Sequence, residues 1–466
     1  MSPTALVFEE RQYTLPQLEA LADGLATSLR KRGVTAGDRV ALMSSNRPEF
    51  VVALQAIWRL AAAVVLISPA WKRHEVEHAL VLTSPSHAVG DHEVLADLMP
   101  MLHLDEPIVA GDSKAVPPPP DADAVLAFSS GTTGLPKAVR HSHHSMQAAV
   151  DHWRDALGLT AADRIQITTP PSHILGLLNI MTALQTGVWV RLHRRFDIDR
   201  MLRHIHEDRI TVEMAVAPIA LAIASHAQLE TYDLSSLRFI MWGATPVSAG
   251  VAETVTRRSG VRWVPAYGTT ELPVIACNPL DGARLDSVGR PVPGVQVRVT
   301  SLQTGAPVGP GEVGEIQARS ESLMAGYLPS ESTRDVLCDG WYRTGDVGCL
   351  DVDGWLRITD RSKEMIKVRG FQVAPAEIEA VLHEHPAVDD CAVFGIPDGA
   401  DGELVVAAVA TRAAVDATVL MAQVGDRLAA YKRLSRVVFV PEIPRLASGK
   451  VLRRVLKERY GRPSDS

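Results

Sequence analysis

The sequence predicts an α/β protein: a large layered N-terminal domain carrying a β-rich subdomain, followed by a small α+β C-terminal domain. Three observations predict it. Helical periods alternate with short apolar strands over most of the N-terminal part. Residues 285–360 are rich in glycine, valine and turn residues, which suits a small β subdomain. From Asp360 the texture turns to dense charge (Asp-Arg-Ser-Lys-Glu-Met-Ile-Lys-Val-Arg) and then to short strands and helices.

Residues 15–32 repeat apolar positions at Leu18, Leu21, Ala22, Leu25 and Leu29, a helical period closed by Gly33. Residues 38–43 read as a buried strand, and Pro48 opens the next helix. The most apolar tract, 50–71, is interrupted by Gln55 and Arg59, so it reads as a buried helix and then a strand at 62–67, not a membrane span. The proline run 117–120 is a stiff connector. Beyond it come a helix at 146–157, a strand at 165–169 stopped by Pro170 and Pro171, and a buried helix at 177–184. Residues 209–218 read as a strand ending at Pro218, and 237–246 as a strand ending in small residues. A further strand starts at Val261 and runs into Tyr-Gly-Thr-Thr-Glu. Gly340-Trp-Tyr-Arg-Thr-Gly-Asp346 puts an aspartate after a tight turn, and Asp353-Gly354 marks a hairpin with 355–358 returning. In the C-terminal part Pro375 opens a helix with acids in its first turns; strands at 390–394, 403–410 and 437–440 and a helix at 416–430 complete the module. The boundary falls at 361–363, giving domains 1–361 and 362–466.

A chain of 466 residues is long for one core, and 46% hydrophobic with 22% charged content is ordinary for a globular protein. The net charge of −7 argues against a nucleic-acid platform. Cys277, Cys338, Cys349 and Cys391 are widely spaced, without Cys-x-x-Cys, so neither a disulfide frame nor a zinc site is expected and a cytoplasmic location fits. The N-terminus shows neither a basic region nor a long apolar run, so no signal peptide is expected.

The chemistry centres on Ser-Ser-Gly-Thr-Thr-Gly-Leu-Pro-Lys, residues 129–137. Gly131 and Gly134 free the backbone to turn successive N–H groups toward one anion. Ser129, Ser130, Thr132 and Thr133 add hydroxyl donors, and Lys137 a mobile positive charge. That composition also serves a flexible linker; the strand-like flanks and the downstream segments favour a polyphosphate cradle. It is not the common G-x-x-x-x-G-K-[ST] loop, since Lys137 lies three residues past the second glycine. Tyr267 offers a ring for stacking, Thr270 a phosphate donor and Glu271 a Mg²⁺ ligand, although the same residues suit a capped turn. His173, after a strand end, reads as a hydrogen-bonding histidine or a site residue. Lys450, in Ser-Gly-Lys, reads alone as a solvated side chain.

Taken together and in this order, the segments resemble the superfamily of adenylate-forming enzymes: acyl- and aryl-CoA ligases, nonribosomal adenylation domains and beetle luciferase. The resemblance runs from about residue 10 to about 457. It rests on the 129–137 loop, Tyr-Gly-Thr-Thr-Glu at 267–271, Tyr-Arg-Thr-Gly-Asp at 342–346, Arg361 with Lys367, and Lys450. It implies ATP and Mg²⁺. Ser129, Ser130, Gly131, Thr132, Thr133, Gly134 and Lys137 would bind the β- and γ-phosphates, and Tyr267 would flank adenine, with Ala244, Gly268 and Thr269 also at the nucleotide. Thr270 would touch the α-phosphate, Glu271 would ligate Mg²⁺, and Asp346 would hold the ribose, supported by Arg361. Lys450 would bridge the carboxylate and the α-phosphate in the first half-reaction. Lys363 would be the hinge of a mobile C-terminal domain that presents Lys367 and Gln372 for the second, and His173 would close the acid pocket and shift to admit the thiol. The chain departs from the pattern at Ala138, where glycine is usual, and in a shorter N-terminal region; neither puts adenylation in doubt.

The expected acid pocket is His173, Ile174, Leu177, Gly243, Ala244, Thr245, Gly268, Pro273 and Val274. It is apolar and without a charge to recognise an ammonium, so an aryl, arylacrylic or medium acyl carboxylic acid is expected. Lys-Val-Arg-Gly-Phe-Gln-Val at 367–373 resembles the corresponding part of 4-coumarate-type ligases, which implies CoA as acceptor. A carrier protein, an amine or nitrite are the alternatives, and a non-catalytic nucleotide-binding relative is a further one. A monomer or homodimer without a nucleic-acid partner is expected.

Overall fold

Short apolar strands separated by helices re-enter a sheet beside an earlier strand running the same way, which favours parallel pairing. In the computed structural model the described residues are 4–112, 115, 117–129, 136–244, 249–361, 364–368, 371–397, 403–428, 430–445 and 451–461. Nine strands form one sheet in the order Arg290–Pro291, Ala276–Cys277, Trp263–Tyr267, Phe239–Trp242, Val212–Ala215, Arg164–Ile167, Trp189–Leu192, Thr4–Phe8 and Arg11–Thr14. A second has seven: Gly326–Leu328, Lys137–Ser142, Asp123–Ser129, Ala63–Leu66, Arg39–Met43, His87–Gly90 and Met101–His103. Pairing is parallel from Trp263–Tyr267 to Thr4–Phe8 in the first. It is parallel from Asp123–Ser129 to Met101–His103 in the second. The carboxyl ends of these strands therefore gather along one edge of each sheet, where ligands bind in parallel folds.

Local chemistry explains the connecting helices. Leu15–Lys31 starts with a capping box in which Thr14 accepts from the Gln17 backbone and Gln17 accepts from the Thr14 backbone. Pro48 occupies the first turn of Pro48–Arg59, and Gly158 ends His143–Leu157 in the left-handed conformation. That last helix begins at His143, ahead of the expected start, because Ser142 caps it. Two readings are corrected. Residues 209–218 are not one strand: Val212–Ala215 is the strand, and Pro218 lies in the first turn of helix Ala217–Ser225, where its missing N–H costs nothing. Asp346 does not follow a tight turn but lies inside strand Trp341–Leu350, its Cα opposite that of Arg361 in Leu356–Arg361.

The chain divides into two compact units, residues 1–297 with 318–342, and 298–317 with 343–466. The β-rich residues 298–317 and 343–361, assigned from sequence to the N-terminal domain, thus group with the C-terminal residues. In the first unit one core packs Trp242 against Trp263, ring centroids 5.1 Å apart, with Ile205, Ile219, Ile240 and Val255. In the second, Val388–Pro397, Glu403–Thr411 and Arg436–Phe439 form a sheet. Helices Pro375–His383 and Ala417–Arg427 pack on it through Ile378, Leu382, Leu420 and Val424, among others. Arg453, on helix Arg453–Tyr460, anchors this unit by ion pairs to Glu364 and Glu379 and a hydrogen bond to the Val393 carbonyl. No helix among the described residues is long and apolar enough to cross a membrane.

Candidate active site

The first unit brings four chain segments to the carboxyl ends of its strands. Ser129 ends Asp123–Ser129 and pairs across the sheet with Lys137, which opens Lys137–Ser142. The next strand, Gly326–Leu328, pairs with Lys137–Ser142 and sets Tyr327 opposite Val139. The Lys137 ammonium lies 5.5 Å from the centre of the Tyr327 ring. Ser130, Gly131, Thr132, Thr133 and Gly134 lie outside the described residues, as do Thr245, Lys363 and Lys450.

The second segment is the loop after Trp263–Tyr267. The Thr269 N–H donates to the Leu272 carbonyl at 3.0 Å, and the Leu272 N–H to the Thr269 hydroxyl at 3.0 Å. A Cβ on Gly268 would sit 2.0 Å from the Pro273 carbonyl oxygen, so this fold-back requires glycine there. The loop holds Thr270 and Glu271 toward the other sheet. His141, fully buried, donates from Nε2 to the Thr270 carbonyl at 2.8 Å. Because a carbonyl only accepts, Nε2 carries a proton, and burial lowers the imidazole's pKa against this hydrogen bond, which raises it. Glu271 is 7% exposed, and Tyr327 donates to its Oε1 at 2.7 Å.

Third, Pro170 to Gly176 form a tight entry to helix Ile174–Thr186. His173 caps that helix, accepting weakly at Nδ1 from the Leu175 N–H, and burial lowers its pKa. A Cβ on Gly176 would meet the Pro170 carbonyl oxygen at 2.2 Å, so helix and turn touch backbone to backbone. Asn46 ties this turn to the second sheet by donating to the Thr169 carbonyl at 3.1 Å. Fourth, Gly243 and Ala244 follow Phe239–Trp242, which lies beside Trp263–Tyr267. Ala244 has φ of 63°, an uncommon conformation for a residue with a Cβ and one that occurs where a site constrains the backbone. Of the expected pocket residues, Leu177 and Val274 have no exposure and Ile174 has 6%. They are buried and do not form an open surface. A cavity of about 330 Å³ lined by Leu234, Arg238, Gly260 and Arg262 sits instead at the amino ends of the same strands, the wrong edge for a ligand.

In the second unit, Asp346 is 4% exposed and its N–H donates to the Thr344 hydroxyl at 3.0 Å. Thr344 in turn donates to the Ile316 carbonyl at 2.8 Å. The side chains of Arg361 and Gln372 lie outside the described residues. Lys367 is exposed on the hairpin Ile366–Val368 and Phe371–Val373, and its backbone N–H donates to Glu403 at 2.9 Å.

Sequence reasoning missed His141, Tyr327 and Tyr342 as site residues. Tyr342 shares the Tyr327–Glu271 cluster: burial first, then the charge of Glu271, hold its phenol well above the usual pKa. The site suits a divalent cation on one count: Glu271 is a buried carboxylate that forms no ion pair among the described residues. No group of three or more metal-binding side chains occurs among those residues, so phosphate oxygens and water would have to complete a Mg²⁺ shell.

A buried carboxylate at the carboxyl edge of a parallel sheet suits an α/β enzyme site, and comparison identifies the family. The model of the AMP-binding enzyme family matches residues 2–328, and that of the AMP-binding enzyme C-terminal domain matches 377–450. The chain belongs to this adenylate-forming family. It is 32% identical to 4-coumarate–CoA ligase 1 of Solanum tuberosum, over 97% of this chain and 89% of that one. It is 34% identical to feruloyl-CoA synthase of Amycolatopsis sp, over 99% and 97%. Among solved structures, the amide bond synthetase McbA of Marinactinospora thermotolerans superposes with a TM-score of 0.90 at 31% identity, covering 99% of this chain and 97% of that one.

Proposed function

We propose that this protein uses ATP to convert a planar aryl or arylacrylic acid to its acyl-adenylate and then to its CoA thioester. The observation that carries the substrate class is the pairing of small residues, Gly243 and Ala244 after one strand and Gly268 after its parallel neighbour. Backbone on both sides favours a flat ring over a long flexible chain. The relatives named for 4-coumarate and ferulate, both arylacrylic acids, support that reading.

In the first step a carboxylate oxygen attacks the α-phosphorus of ATP, forming the mixed anhydride as the bond to pyrophosphate breaks. Two anions must meet, and Mg²⁺ when bound lowers their repulsion. Lys137 is the described cation for the terminal phosphates, Thr270 a donor to the α-phosphate, and Lys450 the lysine assigned to the reacting oxygens. In the second step the thiol sulfur attacks the carbonyl carbon, its proton passes to solvent, and AMP leaves. A cytoplasmic site of action is part of this proposal.

The test is kcat/KM for cinnamate- and benzoate-like acids against octanoate and palmitate, read by acid-dependent pyrophosphate exchange into ATP. Aromatic acids should win. Ala244→Phe should raise the acid KM far more than the ATP KM, with Ala244→Gly as the control that suits the positive φ. A long-chain preference, or selectivity unchanged in Ala244→Phe, would rule out this pocket. The likeness to an amide bond synthetase favours one second reading, an amine as acceptor. Product formed with amines but not with CoA would select it.

A further inference from the structure

We propose that Tyr327 is a positioning residue that couples Lys137, at the exit of the phosphate loop, to the metal carboxylate. The inference rests on the reading of Glu271 as the Mg²⁺ ligand and goes beyond it. Tyr327 meets the site through two side chains. Its hydroxyl donates to Glu271 Oε1 at 2.7 Å, and its ring lies 5.5 Å from the Lys137 ammonium. A phenol has one proton. That proton goes to Glu271, so the bond is polarised toward the carboxylate.

The backbone around Tyr327 reinforces the arrangement. The Met324 N–H donates to the Glu271 carbonyl at 2.9 Å, and the Ala325 N–H to the Arg140 carbonyl at 2.8 Å. The Tyr327 N–H is held by Thr333 at 2.8 Å, and Leu328 pairs with Ala138. Residues 324–328 therefore join the strand that carries Lys137 to the loop that carries Glu271. Only one Glu271 oxygen is engaged by the phenol, which fixes the carboxylate's rotation while leaving the other oxygen to a cation. Partners of this kind orient metal-binding carboxylates, and their loss commonly weakens metal binding by 10–100-fold.

The experiment compares wild type with Tyr327→Phe, which keeps the ring beside Lys137 and removes only the hydroxyl. With Mn²⁺ as the probe and a non-hydrolysable ATP analogue present, electron paramagnetic resonance should show metal affinity weakened by about tenfold. The Mg²⁺ concentration for half-maximal pyrophosphate exchange should rise by a like factor, while the KM for the acid stays within about twofold. In a Glu271→Gln background the same substitution should add nothing, because the two share one interaction. Metal affinity unchanged in Tyr327→Phe, or an additive double variant, overturns the proposal. A measurement on the unaltered chain guards against a variant that does not fold: with ¹³C at tyrosine Cζ, one resonance should move when Mg²⁺ joins the ATP-bound protein. Tyrosine resonances all indifferent to Mg²⁺ also overturn it. Failure of the wild type to bind ATP would instead overturn the functional reading beneath it.

Discussion

Gly268 shows how a single residue governs this site. Its neighbours fold back until the Pro273 carbonyl stands where a Cβ would go, 2.0 Å away, and a backbone oxygen has no rotamer by which to yield. Gly268→Ala should therefore displace Thr270 and Glu271, with a loss on the order of 100-fold in kcat/KM for ATP. Gly250→Ala is the matched control: it lies in helix Ala249–Ser259 with nothing within 4 Å of the new Cβ. That change should stabilise the fold by about 0.4–1 kcal/mol, by thermal melting, with activity unchanged. Equal losses in both variants would show that the close approach is not what matters. The place of Gly268 was legible, since it stands inside a recognisable Tyr-Gly-Thr-Thr-Glu. His141 and Tyr327 were not, because the partners that give them meaning lie 129 and 56 residues away in the chain.

Strand and helix positions were legible wherever the apolar period was strong, as in Leu15–Lys31 and Val388–Pro397, and failed where a proline could be read two ways, as at Pro218. One strand also carries an ionisable group that its pattern hides. Glu213, in the middle of Val212–Ala215, is completely buried, and burial pushes its carboxyl up to about 8 against the hydrogen bonds from Gln166 and Met214. Gln166 joins it to His193, which faces His204, and the surrounding charges are Arg191, Arg200 and Asp208. Because the native state raises this carboxyl's pKa, its contribution to stability is complete below the ordinary value of 4.5 and is lost as pH rises to about 8. Chemical denaturation across that window should show Glu213→Gln, which cannot ionise, with a flatter dependence than wild type and a higher relative stability at pH 8. Parallel curves for the two proteins would place the titrating group elsewhere.

At the scale of the whole molecule, the proposed site residues are divided between two compact units, Lys137 and Glu271 in one, Asp346 and Lys367 in the other. Such a division suits a reaction in two halves, since one lysine held over the adenylate would obstruct the second nucleophile. A swing about Lys363 that exchanges Lys450 for Lys367 is the corresponding proposal. Lys450→Ala should abolish pyrophosphate exchange yet leave thioester formation from supplied acyl-adenylate largely intact. Lys367→Ala should slow the thiol step more than adenylation. Equal loss of both half-reactions in each variant, followed by single-turnover kinetics, would argue against the exchange.

What the sequence determined by itself is the chemistry. Short-range composition is enough to specify a loop of Ser, Thr and Gly closed by Lys137, the Tyr-Gly-Thr-Thr-Glu segment, and the apolar periods that build the strands and helices. Those features act within a few residues of one another, so they can be read along the chain. Tertiary structure alone decided how that chemistry is held. The hydrogen bonds from Tyr327 to Glu271 and from His141 to Thr270 join different sheets, and no local pattern encodes a partner on another strand. The same holds for the grouping of residues 298–317 and 343–361 with the C-terminal unit, because compactness depends on contacts across the fold and not on composition along it.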